Sequence, residues 1–405
     1  MIHIPDNVAA RTTVLVGSVK GVSQVPAESF CPSRVHFLAA LSRRLLNDSR
    51  TRVMPDVASF AYWCRAANLK RLAGGRALQG DRVRMGLGLT FHICPSNVPV
   101  NFAFSLAFGL LAGNSCVLRL PSKPTPTTDL LIDAVRRELL DVPDGLRNAV
   151  GLLRFERDDE VSRFWMSVAD GRIVWGGDET IAHMRTFRTK PRSREVAFAD
   201  RFSLCALDPS AVLSMDETTL LRFCHDLFND IFLMDQAACS SPQLFAWVGE
   251  RDQVAQAQAK LWPALARLAQ QKYLMRPAQA MDKFVQACRH AMGNESVLQI
   301  ERHENVLYRL VLDCVGPQQH ERRGYYGTVH EVTVPNLDAL APIVNERYQT
   351  LTILGIAPES VRSMIVRHGL KGIDRVVPVG RALDMDALWD GYDIIASLSR
   401  LVPIH

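Results

Sequence analysis

Alternating strands and helices between residues 84 and 140 constrain the fold of this chain more than any other sequence feature. In chain order, this part of the sequence predicts a strand at Arg84–Ile93, a helix at Asn101–Ala112, a strand at Ser115–Leu120 and a helix at Thr128–Leu140. Strands that are joined through helices run parallel in one sheet, and such sheets bind ligands beyond the carboxyl ends of their strands. The loops that begin at Cys94 and Pro121 are therefore the first candidates for a binding site.

The same rhythm continues along the rest of the chain, which predicts an α/β protein. Further strands are expected at Thr13–Val19, at Gly171–Trp175, within FADRFSLCAL (198–207), at Gln243–Val248 and near residues 306–314, 327–334 and 351–355. Further helices are expected at Val35–Leu46, Pro55–Ala73, Asp159–Val168, at Glu179–Phe187 with Asp178 as its N-cap, and at 216–238, 251–271 and 358–368. A length of 405 residues fits two or three domains.

Composition and charge exclude several classes of protein. The chain is 48% hydrophobic, which is too much for a disordered protein, and its net charge of +5 is spread along the sequence rather than gathered in a nucleic-acid-binding patch. Nine cysteines without CxxC or Cys/His spacing predict neither a disulfide framework nor a metal site. The first residues do not read as a signal peptide, and the longest apolar run, Phe102–Gly113, is too short to span a membrane. We expect a cytoplasmic protein.

Cys239 is the strongest candidate nucleophile because of its surroundings. It lies between a long predicted helix and a strand, among small and polar residues and three positions before Pro242. A thiolate there can face a cleft and be stabilised by backbone N–H groups. The plain alternative is a buried, inert cysteine, which any one of nine cysteines is more often than not. Cys94, in the loop after the first strand, is the second candidate.

Other polar residues near strand ends also have a functional and a plain interpretation. Asn97 lies in a loop stiffened by prolines, where its amide can donate to a developing oxyanion or merely bond to its own turn. Gly176-Gly177 ends a strand and opens a helix, as phosphate-binding turns do, but it does not match GxGxxG. Arg119 and Lys123 flank the second loop and can meet a phosphate or face solvent.

The order of these segments resembles the aldehyde dehydrogenase superfamily and, more closely, the acyl-CoA reductases of the LuxC type. The stretches that carry the resemblance are PDVASFAYWCRAANL (55–69), HICPSNVPVNF (92–102), GLLAGNSCVLRLPSKPTP (109–126), VWGGDETI (174–181), FADRFSL (198–204), DQAACSSPQLF (235–245) and WDGYD (389–393). Each stretch is modest alone, and the ordered set is specific.

The resemblance implies an aldehyde-dehydrogenase-like α/β fold with three parts. These are a Rossmann-like cofactor domain, an α/β catalytic domain that carries the cysteine, and a small oligomerisation element, with the active site in the cleft between the first two. On this chain the expected ranges are 1–230, 231–375 and 376–405. The resemblance also implies a homo-oligomer.

The same resemblance assigns roles to individual residues. Cys239 takes the place of the nucleophile, and Asn97 that of the amide that stabilises the oxyanion together with the backbone N–H of Cys239. The residues expected to contact the cofactor are Pro95, Ser96, Arg119, Ser122, Lys123, Trp175, Gly176 and Gly177. Neither the sequence nor the resemblance indicates a metal.

Three departures from the superfamily pattern refine the expected chemistry. The loop reads PSK where many NAD-dependent members have PSE, and Lys123 attracts a 2′-phosphate that a glutamate repels, so we expect NADPH. Phe198 stands near the place of the glutamate that activates water in oxidising members, with Asp200 as a possible substitute. Gly324 replaces a glutamate expected at the nicotinamide ribose, where Tyr325 or Tyr326 can compensate.

These features together predict NADPH-dependent reduction of a fatty acyl thioester, acyl-CoA in the simplest case, to the aldehyde. One alternative is that a partner protein delivers the acyl group as an acyl-carrier thioester or acyl-adenylate, and the basic residues at 185–194 can dock an acidic carrier. The other is a non-catalytic, dehydrogenase-like subunit that binds acyl groups.

Overall fold

A computed structural model describes residues 1–17, 21–76 and 82–404 of the chain. The α-helices are α1 (Asp6–Ala10), α2 (Pro32–Asn47), α3 (Pro55–Trp63), α4 (Ala66–Gly74), α5 (Asn101–Leu111), α6 (Pro126–Glu138), α7 (Asp144–Arg147), α8 (Asp159–Val168), α9 (Asp178–Arg185), α10 (Pro209–Leu213), α11 (Glu217–Phe232), α12 (Arg251–Lys272), α13 (Pro277–Met292), α14 (Pro358–His368) and α15 (Ile394–Ser397). The β-strands are β1 (Thr13–Val16), β2 (Arg82–Gly86), β3 (Leu89–Ile93), β4 (Ser115–Leu120), β5 (Val150–Arg154), β6 (Gly171–Trp175), β7 (Arg194–Phe198), β8 (Phe202–Leu207), β9 (Pro242–Val248), β10 (Val297–His303), β11 (Leu307–Leu312), β12 (Thr328–Val334), β13 (Tyr348–Leu354), β14 (Arg375–Pro378), β15 (Leu388–Trp389), β16 (Tyr392–Asp393) and β17 (Ser399–Pro403).

The chain divides into two compact units. The first combines residues 1–199 with 385–405, and the second is the continuous stretch 200–384. The ranges expected from the sequence ended at residues 230 and 375, whereas here β8 and α11 both belong to the second unit. The expected ranges concern functional domains and stay a prediction.

A six-stranded sheet in the order β1-β5-β4-β3-β6-β7 organises the first unit. All of its pairs are parallel except β1 with β5. The order reverses between β3 and β6, which leave their neighbours in opposite directions, and this is the switch point at which open α/β sheets bind ligands. The loops after Ile93 and Trp175 both start from the carboxyl edge of the sheet at that point.

Helix α5 shows why the first unit has a deep core. Its sequence NFAFSLAFGLL is apolar on every side, and the helix is buried from Phe102 to Leu111. Phe104 and Phe108 make edge-to-face contacts with the ring of Trp63. Such pairs add about 0.5–1.5 kcal/mol to the burial of the rings.

Asn114, just after α5, ties three distant segments of the first unit together. Its side-chain oxygen accepts from the backbone N–H groups of Leu87 and Gly88 at 2.6 and 3.2 Å, and its amide nitrogen donates to the carbonyl of Leu398 at 2.8 Å. Next to it, β17 pairs antiparallel with β2. The last strand of the described chain is therefore an integral part of the first unit.

A seven-stranded sheet in the order β10-β11-β12-β9-β8-β13-β14 organises the second unit. Only β10 runs antiparallel to its neighbour. Apolar side chains fill both faces, with Phe245, Trp247 and Trp262 in one cluster and Leu244, Ala246 and Leu351 in the other. Because both faces of the sheet are covered by apolar side chains, polar groups are expected at the amino and carboxyl ends of its strands.

The predicted elements differ from the structure in several places. The expected helix Pro55–Ala73 is broken between α3 and α4, and the expected strand Arg84–Ile93 is two strands around a turn at Gly88, whose φ is +133°. Asp178 is the first residue of α9 rather than its N-cap, which is Gly177. The expected helix 216–238 ends at Phe232, and the sequence reading missed β5 and α13. Residues 18 and 19 of the strand predicted at Thr13–Val19 lie outside the described residues.

None of the helices in the described part of the chain is both long enough and apolar enough to cross a membrane.

Candidate active site

Cys239 lies in a turn at the amino end of β9, in the second unit. The side chain is half-buried, and its carbonyl accepts a hydrogen bond from the hydroxyl of Ser203 at 2.7 Å. A backbone hydrogen bond closes this turn, since the N–H of Ser241 donates to the carbonyl of Ala238 at 3.0 Å. The thiol therefore lies on a short, backbone-bonded turn at the amino end of a central strand.

The approach to this turn has an unusual backbone. Met234, Asp235 and Gln236 follow α11 in succession with φ values of 55°, 57° and 62°. These are left-handed conformations, which cost a non-glycine residue roughly 1–2 kcal/mol each. Such a run persists only where the surroundings determine it.

The side chain of Gln236 supplies that determination. Its amide nitrogen donates to the carbonyls of Pro242 and Thr328, both at 3.0 Å, and its oxygen accepts from the N–H groups of Gly327 and Thr328, both at 3.1 Å. The residue is fully buried, so these four bonds replace all the water it would bind. Gln236 thereby joins the cysteine turn to the start of β12.

The segment Gly324–Gly327 faces the same turn from the other side. The N–H of Tyr326 donates to the carbonyl of Asp235 at 3.1 Å, and the N–H of Gly324 donates to the side chain of Gln243 at 2.9 Å. A Cβ on Gly324 would lie 2.5 Å from that of Thr328. A glutamate, expected there in the wider superfamily, has no room without a backbone shift.

Lys283, on α13, lies behind this segment and was missed by the sequence analysis. It is fully buried, and its Nζ is 2.8 Å from the carbonyl oxygens of Val306 and Tyr326 and 3.1 Å from that of Asn305. Burial lowers the pKa of Lys283 to about 6, because the ammonium loses its hydration. The three carbonyl oxygens oppose that shift, since together they match the three donors of an ammonium.

The loop that carries Asn97 lies at the switch point of the first unit. Ser96 and Asn97 are exposed, whereas Pro95 is half-buried. Cys94, the second candidate nucleophile, is buried, and its burial raises the pKa of the thiol well above its usual range. Cys94 is therefore held as an unreactive thiol.

The loop after β4 is bound to the end of β5. The hydroxyl of Ser122 donates to the Glu156 carboxylate at 3.0 Å, and the Arg154 Nε donates to the carbonyl of Pro121 at 3.1 Å. A second guanidinium nitrogen of Arg154, Nη2, is buried and has no hydrogen-bond partner within the described residues. Lys123 is exposed. A basic group with an unused donor thus lies beside the loop at which a phosphate was expected.

Arg119 points into the same region from β4. Its Nε donates to the carbonyl of Phe155 at 3.4 Å, and its guanidinium lies 5.0 Å from the centre of the Phe155 ring. Burial, together with nearby Arg157, lowers the pKa of Arg119. Neither Arg154, the last residue of β5, nor Glu156, two residues beyond it, was singled out from the sequence.

The third expected cofactor loop begins at Trp175, at the end of β6. The Trp175 ring is buried, stacks on Phe198 at 3.7 Å between ring centres, and donates through Nε1 to Ser105 at 3.1 Å. Phe198, which the resemblance places near the superfamily's base, therefore has a packing role. Gly176 packs against Thr180, where a Cβ would come within 3.0 Å, while Gly177 is open on its Cα side.

Two other candidates from the sequence form ion pairs within their own unit. Asp200, the possible substitute base, forms an ion pair with Arg323 at 3.0 Å. In the basic stretch at 185–194, Arg185 pairs with Glu195 and Lys190 with Asp170, both at 2.7 Å. Two of the five basic residues proposed to dock an acidic carrier are thus paired with carboxylates of the same unit.

The structure brings the expected residues together in two groups. In the first unit, Pro95, Ser96 and Asn97 share the switch point with Trp175, Gly176 and Gly177, and the β4 loop with Ser122 and Lys123 follows on the same edge. In the second unit, Cys239 is grouped with Gln236 and the Gly324–Thr328 segment. Among the described residues, no group of three or more histidine, cysteine, aspartate or glutamate side chains is arranged to hold a metal ion.

Comparison with known sequences gives a consistent family match. The profile of the LuxC family, described as acyl-CoA reductase, matches residues 78–403. The long-chain acyl-protein thioester reductase of Aliivibrio fischeri is 25% identical over 310 residues, which are 73% of this chain and 61% of that protein. The enzyme of the same name from Photorhabdus laumondii is 22% identical over 322 residues, 78% of this chain and 62% of that protein. The match thus covers less than two thirds of either relative.

Solved structures share the fold. Aldehyde dehydrogenase 21 from Physcomitrella patens superposes with a TM-score of 0.62 at 12% identity, over 92% of this chain and 85% of that one. Proline utilization A from Bradyrhizobium japonicum gives a TM-score of 0.64 at 14% identity, over 93% of this chain and 43% of that one. The expected α/β architecture of the aldehyde dehydrogenase kind is confirmed.

Proposed function

The chain belongs to the LuxC family of acyl-CoA reductases, whose profile spans residues 78–403, and on that premise we propose that it reduces a fatty acyl thioester to the aldehyde with NADPH, through an acyl group held covalently on Cys239. The observation that carries the proposal is the environment of Cys239. It combines a half-buried thiol, a turn at the amino end of β9 and a frame of buried hydrogen bonds behind it. The cysteines on the strands, such as Cys116 and Cys205, are fully buried, and burial raises the pKa of their thiols.

In the first half of the proposed reaction, the Cys239 thiolate attacks the thioester carbonyl. The new C–S bond pushes the carbonyl electrons onto oxygen, and the collapse of this oxyanion expels the donor thiolate, which takes up a proton. Backbone N–H groups of the turn and the side-chain amide of Asn97 are the proposed donors to the oxyanion. The product of this half is an acyl-enzyme.

In the second half, the acyl carbonyl on Cys239 is reduced. When bound, NADPH supplies the hydride. Addition of hydride to the acyl carbon again places negative charge on the oxygen, and the same donors stabilise it. Breaking the C–S bond then releases the aldehyde and returns the Cys239 thiolate, so that the enzyme is ready for the next substrate.

The residues at the place of the superfamily's base favour reduction over hydrolysis. Phe198 is packed against Trp175, and Asp200 is paired with Arg323, so neither side chain is set up to activate water. An acyl-enzyme without a base for water persists long enough to meet the hydride donor. This supports thioester reduction rather than oxidation of an aldehyde to an acid.

The carboxyl edge of the first sheet has groups that fit a phosphorylated nicotinamide cofactor. The unused Nη2 of Arg154 and the exposed ammonium of Lys123 lie around the β4 loop, where a 2′-phosphate would need positive charge. Ser122 adds a hydroxyl, which donates a hydrogen bond to the Glu156 carboxylate in this structure. The loops at the switch point, Pro95–Asn97 and Trp175–Gly177, are proposed to line the rest of the cofactor.

The deciding experiment measures acyl transfer to Cys239 and cofactor consumption together. Protein would be incubated with saturated acyl-CoAs of increasing chain length, and the adduct located by mass spectrometry before NADPH is added. We expect an adduct on Cys239 and loss of both adduct and NADPH oxidation in Cys239→Ala. Cys288→Ala, which removes another half-buried thiol of the same unit, is the matched control and should behave as wild type. Turnover that survives in Cys239→Ala would refute the proposal.

A second candidate substrate is an acyl group carried on a protein. It is favoured by the matched relatives, which are called acyl-protein thioester reductases. A comparison of kcat/KM for the same acyl chain on CoA and on an acyl carrier protein separates the two donors. A carrier preference would assign the delivery step to a partner protein and leave the chemistry at Cys239 unchanged.

A further inference from the structure

The left-handed run before Cys239 raises the question of what holds it in place. Three successive residues, Met234 to Gln236, are in conformations that a non-glycine residue avoids. Gln236 is bonded to the Gly327–Thr328 backbone by its side chain. The position of the cysteine turn therefore depends on the position of the segment to which Gln236 is bonded.

That segment also contains a non-glycine residue in the left-handed region. Tyr326 has a φ of 59° and Gly327 a φ of 81°. A Cβ on Gly327 would lie 2.4 Å from the Phe232 ring and 2.6 Å from the carbonyl oxygen of Val306. The segment is thus pressed closely against its neighbours and needs an attachment of its own.

Lys283 provides this attachment from α13. Its Nζ bonds to the carbonyl of Tyr326, in the segment, and to the carbonyls of Asn305 and Val306, just before β11. It also lies 4.6 Å from the centre of the Tyr308 ring. One turn earlier on the same helix, the side chain of Gln279 donates to the Asp235 carboxylate at 3.1 Å. Helix α13 therefore holds both sides of the junction between the cysteine turn and β12.

We propose that Lys283 is a positioning residue for the nucleophile, which fixes the Tyr326–Thr328 backbone so that Gln236 can hold the turn of Cys239. The inference rests on the proposed role of Cys239 as nucleophile and adds to it the group that sets its position. Lys283 does not touch the reacting atoms. It acts through three carbonyl groups and one glutamine side chain.

The test compares Lys283→Met with Lys260→Met. Lys260 is the matched control, because its Nζ also donates to two backbone carbonyls of the second unit, those of Leu213 and Met215, but it contacts neither the cysteine turn nor the Tyr326–Thr328 segment. In Lys283→Met we expect kcat to fall about 100-fold, as for a misplaced reacting group, while the KM for acyl-CoA stays close to that of wild type. We also expect slower alkylation of Cys239 by iodoacetamide. Lys260→Met should keep the wild-type kcat and alkylation rate.

Lys283→Gln keeps the test decisive if the methionine variant does not fold. A glutamine amide offers two donors in place of three, so kcat should lie between those of wild type and Lys283→Met, or below wild type if only the glutamine variant is obtained. A wild-type kcat in either Lys283 variant, or an equal loss of kcat in Lys260→Met, would overturn the inference. The role of Cys239 itself is read separately, from the acyl adduct on the wild-type protein. An adduct that forms equally fast in wild type and Lys283→Met refutes the positioning role alone, whereas its absence from wild type refutes the proposed function.

Discussion

The turn of Cys239 and the loops of the first sheet differ in how far their polar groups are buried. The turn is held from behind by buried side chains, with four hydrogen bonds from Gln236 alone. The loops after β3 and β4 instead leave Ser96, Asn97 and Lys123 exposed. A nucleophile must be placed accurately before the reaction, whereas groups that receive a large ligand must first be reached by it.

This contrast predicts which substitutions should lower stability and which should lower binding or activity. Side chains behind the turn should contribute strongly to the free energy of unfolding, because a buried polar atom that loses its partner cannot bind water instead. Side chains on the exposed loops should contribute to binding or catalysis and little to folding. The following substitutions test that separation, in order of decreasing expected effect.

Gln236→Glu should have the largest effect, and it should appear in stability. A carboxylate keeps the two bonds that the glutamine oxygen accepts, but it cannot donate to the carbonyls of Pro242 and Thr328. Two unpaired buried carbonyls cost about 2–6 kcal/mol together. Urea unfolding of the two proteins measures the difference.

Gln243→Glu serves as a graded control for that measurement. Its amide makes one donor bond, to the carbonyl of Gln236 at 3.2 Å, so the loss should be about half as large. Equal stabilities of Gln236→Glu and wild type would contradict the view that the glutamine holds the turn.

Asn97→Ala should lower kcat/KM about 100- to 1000-fold, the usual effect of losing one oxyanion donor. Because Asn97 is exposed, the free energy of unfolding should hardly change. Steady-state kinetics with acyl-CoA and urea unfolding on the same preparation provide both values. A large loss of stability with intact kcat/KM would reverse the contrast.

Lys123→Glu should weaken NADPH binding by about 1–2 kcal/mol, or roughly five- to thirtyfold, because it places a negative charge beside the 2′-phosphate. NADH should be affected much less. Titration calorimetry with both cofactors measures the ratio. Glu156→Gln is the reciprocal control and should strengthen NADPH binding, since it removes the carboxylate that accepts from Ser122. An unchanged ratio in both variants would count against the site at β4.

Asp230→Asn should have the smallest effect on catalysis, and it should change the pH dependence of stability. Asp230 lies on α11, buried, and accepts from the N–H groups of Gly380 and Ala382. Burial raises its pKa from 3.8 to about 7, so the folded state holds the proton more tightly than the unfolded chain. Its contribution to stability is therefore present at low pH and is lost as the pH rises through 7. Urea unfolding at pH 5 and pH 8 should show a smaller difference for Asp230→Asn than for wild type, and equal differences would contradict the shifted pKa.

The sequence predicted the fold class because its apolar periods are strong and regular. The expected strand and helix at Ser115–Leu120 and Asn101–Ala112 agree with β4 and α5 to within a residue. The sequence analysis missed β5 because VGLLR is a short apolar run without clear punctuation, and it missed α13 although the apolar residues of that segment recur at helical spacing. The order of modest motifs along the chain then predicted the family.

The candidate site was predictable only where a motif marks it. Cys239 and Asn97 stand in recognisable segments, whereas three of the four hydrogen bonds of the Gln236 side chain reach residues 91 or 92 positions away, and Lys283 acts on carbonyls 22 to 43 positions away. No local pattern records such pairings, because they are made by strands that meet only in the folded sheet. Glu156, which accepts from Ser122 across 34 positions, was missed for the same reason.

The pairing of β17 with β2, and the bond from Asn114 to Leu398, have a consequence for how the protein is made. During synthesis, residues 200–384 leave the ribosome as an uninterrupted stretch and can acquire their structure at once. The larger unit, although most of it is translated earlier, must wait for residues 385–405 before its small sheet can close. The unit that is begun first is therefore completed last, and the turn of Cys239 can fold before the unit that carries Asn97 is complete.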